Sequence, residues 1–136
     1  MMAGPVYVKV TDGKRPVRVT AYAESRRQQL VRVSAAEAPS KMSRVWWFED
    51  RELRPGHHER AELDIPPVGI PSFWLVLHVF STGGRGWRRS TVKAEASLQV
   101  PENELLFDDA DKDETPDDAT PGVVVSLEYP ETDDRG

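Results

Sequence analysis

Apolar and polar residues alternate along most of this chain in short runs, and clusters of Gly, Pro, Ser and Asp break the runs. A period of two puts successive side chains on opposite faces of an extended backbone, so the pattern predicts half-buried β-strands. No long segment carries the 3.6-residue period of an amphipathic helix.

The first run, PVYVKV, sets Val6, Val8 and Val10 on one face. TDGKRP follows as a hairpin turn, because Asp-Gly supplies the positive φ that a tight turn needs. VRVTAYA then alternates Val17, Val19, Ala21 and Ala23 against Arg18, Thr20 and Tyr22, and LVRVSA turns Val31 and Val33 inward. Together these predict a three-strand meander. RVWWFED places Trp46 and Phe48 on one side and Val45 and Trp47 on the other, so one aromatic pair is expected in the core and one outside. ERAELDI points Ala61, Leu63 and Ile65 inward, and PPVGIP, with three prolines and a glycine, ends the run.

SFWLVLHVF is apolar on both faces, with Phe73, Leu75, Leu77 and Val79 opposed to Trp74, Val76, His78 and Phe80. Such a strand is covered on both sides and belongs in the middle of the fold. STGGRG reads as the turn into WRRSTVKAEASLQV, where Val92, Ala94, Ala96, Leu98 and Val100 share one parity, the mark of one long amphipathic strand pairing back on its predecessor. VVVSLEYPE is a last strand with Val123, Val125, Leu127 and Tyr129 on one face. It either completes this chain's own sheet or adds to the edge of a neighbour's.

These runs predict an all-β fold, an antiparallel β-sandwich or small barrel of seven to nine strands with an acidic C-terminal arm. Residues 1–100 form its body and 101–122 an acidic loop or linker. Residues 123–136 form a strand and tail of the same domain or of a neighbouring subunit. At 136 residues the chain can close a single core without disulfides or metals, and it has no cysteine for a disulfide or a thiolate metal site.

Charge adds an asymmetry that the net value of -5 conceals. Residues 1–100 hold 16 Lys and Arg against 10 Asp and Glu, whereas residues 101–136 hold 2 against 13. A run of like charge stays solvated or meets a basic surface, in the same molecule or in a neighbour. MMAGPVYVKV lacks the apolar run of a signal peptide and FWLVLHVF is too short to cross a bilayer as a helix. The expectation is therefore cytoplasmic synthesis with no membrane partner.

Candidate chemistry narrows the function by subtraction. There is no P-loop, no G-x-S-x-G elbow and no H-E-x-x-H, so enzymatic activity is not expected, and neither is a cofactor. HHERAELD brings His58, Glu62 and Asp64 to one parity, yet an outward polar face explains them better than a zinc site. DDADKDETPDD has aspartates at alternate positions, but Glu114 stands where a calcium loop needs glycine and Thr120 where it needs a bidentate glutamate, so no metal is assigned.

Arg85, Arg88 and Arg89 around Trp87, with Trp47 and Tyr129, are left as interaction candidates. Arginine and aromatic side chains are enriched where proteins meet. The expected function is thus a non-enzymatic structural or interaction protein, its partners other proteins or copies of itself, as in an accessory or decoration subunit of a phage or virus particle. A carbohydrate-binding module with tryptophans as its platform is the alternative, and nucleic-acid binding through residues 85–89, disfavoured by the acidic chain, is the third.

Overall fold

The computed structural model describes residues 5–36, 51–67, 71–83, 86–95, 100, 104–108 and 122–130. They form ten strands and, among the described residues, no helix. In chain order these are β1 (Val6–Val10), β2 (Val17–Ala23), β3 (Gln29–Ala36), β4 (Arg51–Leu53), β5 (Arg60–Ile65), β6 (Phe73–Gly83), β7 (Gly86–Arg89), β8 (Thr91–Glu95), β9 (Leu105–Asp108) and β10 (Val123–Glu128). Two antiparallel sheets pack together as a sandwich. One has the order β1-β6-β3-β4, with β7 also paired to β6; the other runs β5-β2-β10-β9-β8.

The alternation in the sequence becomes the inside and outside of this sandwich. Val6, Val8 and Val10, Val17, Val19 and Ala21, Phe73, Leu75 and Leu77, and Val123, Val125 and Leu127 all lie in one buried cluster. Ala61 and Leu63 pack against it from β5. β6 occupies the centre of its sheet, with β3 along one flank and β1 and then β7 along the other. It is not covered on both faces as expected: Phe73, Leu75, Leu77 and Val79 are buried in the core, whereas Trp74, His78 and Phe80 on the other face are only half-buried.

The expected meander does not form. β1 pairs with β6, β2 with β5 and β10, and β3 with β6 and β4, so the first three strands are divided between the sheets. Period two decides which face is buried, but main-chain hydrogen bonds accept any partner of suitable register. Asp-Gly accordingly serves a crossover: Asp12 Oδ1 accepts from the amide of Lys14 at 3.1 Å, and the amide of Gly13 donates to Pro71 O at 3.1 Å in another connection.

The long strand expected after Trp87 is also divided. Gly86–Arg89 pairs back on β6, but Thr91–Glu95 has moved to the other sheet and pairs with β9. Ser90 is the corner. It is buried, its amide donates to Val79 O at 2.9 Å, and its hydroxyl donates to Ser81 Oγ at 3.2 Å. A small residue able to satisfy its own polar groups lets one strand pass from sheet to sheet. β9 itself arises inside the stretch read as an acidic linker, where Leu105 and Phe107 are buried.

β10 lies between β2 and β9, matched to β2 over six residue pairs from Val123↔Ala23 to Glu128↔Arg18. Beyond it, Tyr129 fastens the first crossover. Its hydroxyl accepts from the amides of Thr11 at 3.1 Å and Asp12 at 3.0 Å, and the Arg15 guanidinium sits 4.6 Å from its ring centre. Replacing Tyr129 by Phe keeps the ring and removes the acceptor. Since water can reach part of this corner, the expected loss is about 1 kcal/mol, read as a lower denaturant midpoint at unchanged slope.

On the outer face of the second sheet, Arg18 grips Asp64 with its Nε at 2.8 Å from Oδ1 and its second nitrogen at 3.3 Å from Oδ2. That hydrogen bond holds the Asp64 carboxyl below the usual carboxylate range. Both side chains are open to water, so the pair orients the edge strand β5 more than it stabilises it.

Candidate functional site: a cationic end with an exposed tryptophan

Three connections meet at one end of the sandwich. One links β2 to β3 and carries Arg26, Arg27 and Gln28; the second links β4 to β5 and carries Arg54, Pro55, Gly56 and His57; the third is the β6–β7 hairpin with Trp87. Together with Gln29 these residues line an open cavity of about 270 Å³.

Main-chain hydrogen bonds tie the three together. The amide of Thr82 donates to Gln28 O, and the amide of Gln28 donates to Thr82 Oγ1, both at 3.1 Å, which joins the first connection to the hairpin. His57 forms a parallel bridge to Ala23, and its Nδ1 lies 3.2 Å from Ser25 O. The chain turns sharply just beyond, with His58 at φ 58° and its ring stacked on that of His57 at 3.8 Å. The Ser25 hydroxyl accepts from the amide of Arg27 at 3.0 Å, an ST-turn that fixes the backbone carrying the two arginines.

Trp87 faces Thr82 across the hairpin and is 40% exposed, the one large apolar side chain so open among the described residues. The Arg54 guanidinium lies over its ring at 5.6 Å. Arg54 is held from behind by Glu52, whose Oε1 accepts from it at 3.1 Å, while Oε2 accepts from Arg32 at 3.3 Å. Hydrogen bonds from Arg54 and then Arg32 pull the Glu52 carboxyl below its ordinary range, so it stays ionised between them. The pattern continues along the same face, where Arg32 and Arg89 lie 5.7 and 6.0 Å from the Phe80 ring.

A planar guanidinium against an aromatic ring keeps its hydrogen-bond donors at the edge, where Arg54 and Arg32 each give one nitrogen to Glu52, and such an array is pre-ordered before any ligand arrives. The arrangement can therefore hold a compact anion beside a flat or apolar group.

No known protein family, curated protein or solved structure matches this chain.

Of the residues singled out from sequence, Trp87 lines the cavity, and Arg88 and Arg89 are exposed beside it on opposite faces of β7. Arg89 shares the face of Trp87. Trp47 and Arg85 lie outside the described residues, as does the acidic stretch 109–121. Tyr129 is half-buried and engaged with the first crossover. Arg26, Arg27 and Arg54 were not singled out: each looks in sequence like a soluble turn residue. The one available signal was that each sits in a turn between two strands, where side chains of distant segments converge. Among the described residues no cluster of His, Asp and Glu could hold a metal ion.

Proposed function

We propose that this protein is a non-enzymatic interaction module that docks an anionic segment of a partner protein on its Arg26, Arg27, Arg54 and Trp87 end. The observation that carries the reading is the exposed Trp87 ring, covered on one side by Arg54 at 5.6 Å and sharing a cavity with two further arginines. An exposed tryptophan within an arginine cluster has the composition of an interface anchor. In a larger assembly, such as the phage or virus particle expected from the sequence, this end would meet a neighbouring subunit. A neutral glycan would use the indole but not the cationic side chains around it, so the cluster favours an anion over a sugar.

Titration with a glutamate-rich peptide at low ionic strength, followed by calorimetry, tests this. Saturable binding is expected, weakening as salt is raised, because exposed charge attraction is screened within about 10 Å at 0.1 M salt. Trp87→Ala and Arg54→Ala should each weaken it by about tenfold, on the scale of an interface anchor. A neutral oligosaccharide bound instead, with no response to salt, would replace this reading by the glycan one.

A further inference from the structure

We infer that the group recognised at this end is a phosphomonoester carried on or beside an aromatic ring, as in a tyrosine-phosphorylated segment of a partner. The inference rests on the docking role proposed above and names what docks.

Three features lead to it. The cavity has two kinds of wall. Trp87 and Pro55 are flat and apolar, while Arg26, Arg27 and Arg54 are cationic forks. A fork donates two parallel hydrogen bonds to one oxyanion, and a phosphate dianion offers three oxygens where a carboxylate offers two. Guanidiniums around one ring-lined hollow therefore suit phosphate on a ring better than a scattered row of carboxylates.

Size is the second feature. About 270 Å³ falls just below the range of roughly 300–1,000 Å³ typical of drug-sized ligand sites. One side chain with its phosphate is the scale of occupant, not an oligomer.

The third is the chain's own charge. Residues 109–121 hold six carboxylates and one lysine. Their C-terminal neighbour, Gly122, is fixed at this same end, with its carbonyl accepting from the amides of Glu24 at 2.9 Å and Ser25 at 3.2 Å, next in sequence to Arg26. Six carboxylates are thus joined in sequence to this end of the molecule through Gly122. A partner that offered only carboxylates would compete with them on equal terms, and a polyanion such as nucleic acid would meet their repulsion along its length. A phosphomonoester has the advantage over the first in charge and the advantage over the second in compactness.

The test uses the full chain at about 0.15 M salt, near physiological ionic strength. Three peptides of one sequence are titrated, carrying phosphotyrosine, tyrosine or glutamate at the same position, with adenosine monophosphate as a fourth probe. The phosphotyrosine peptide is expected to bind at least tenfold more tightly than the other two peptides and more tightly than the nucleotide. Arg54→Lys, which keeps the charge but loses the fork, should abolish most of that preference, with an unchanged circular dichroism spectrum showing that the fold is intact. Equal binding of the glutamate and phosphotyrosine peptides would overturn the phosphate inference and leave the docking role standing. Tighter binding of the nucleotide would overturn a partner segment as the source of the phosphate. If no probe binds even at low salt, both the inference and the docking role fall.

Discussion

Ending the chain at residue 100 is expected to unfold it entirely, although the removed part carries most of the acidic charge and reads as an appendage. The cut deletes β9 and β10, and β10 lies between β2 and β9 in the second sheet. Leu105, Phe107, Val123, Val125 and Leu127 would leave the core, each of them at most 1% exposed. At about 1.5–3 kcal/mol for each buried side chain, their loss costs roughly 8–15 kcal/mol, comparable to the entire stability of a domain, about 5–15 kcal/mol. The cut also strips β2 of its six-residue partner, exposing main-chain groups and a valine face on what becomes an edge. Far-ultraviolet circular dichroism and one-dimensional proton spectra of the truncated chain should show no cooperative unfolding and no dispersed methyl resonances. A folded monomer ending at residue 100 would mean that the second sheet does not depend on β10.

Phe107→Ala should be the most damaging single truncation in the acidic segment 101–136, at about 3–5 kcal/mol. Phe107 stands beside Asp108 and Asp109, a setting in which an aromatic residue looks incidental. In the fold it is among the largest fully buried side chains, opposite Val123 on one flank and Val92 on the other. Close packing leaves its site little room to collapse, so the cavity adds to the lost transfer free energy. The expected result in chemical denaturation is a large fall in midpoint with the slope preserved. Leu106→Ala, one residue away on the other face and only half-buried, should cost much less and serves as the control. Equal effects of the two substitutions would contradict the assignment of faces in β9.

Both results follow from residues whose role was only partly legible in the sequence. The valine face of Val123–Glu128 could be read directly, because alternation is a local property of the chain. β9 could not, because four residues among carboxylates are too few to establish a period. Ser90 was hidden for a different reason: the alternation of β7 and that of β8 run on without a visible break, and only the polar satisfaction of a buried corner distinguishes one long strand from two in different sheets. The candidate site shows the same division. Trp87, Arg88 and Arg89 stand out as a cluster in sequence, while Arg26, Arg27 and Arg54 reach it from turns 28 or more positions away.

By itself, then, the amino-acid sequence determined that this protein is built of strands, which side of most strands faces the core, and that β6 runs through the middle, since all three depend on the order of apolar and polar side chains along a short stretch. Strand pairing, the passage of the chain between sheets at Ser90, and the meeting of two turns with the β6–β7 hairpin around Trp87 were decided only by the tertiary structure. Main-chain hydrogen bonds carry no sequence label, and a site made from separate turns exists only once packing has brought them together.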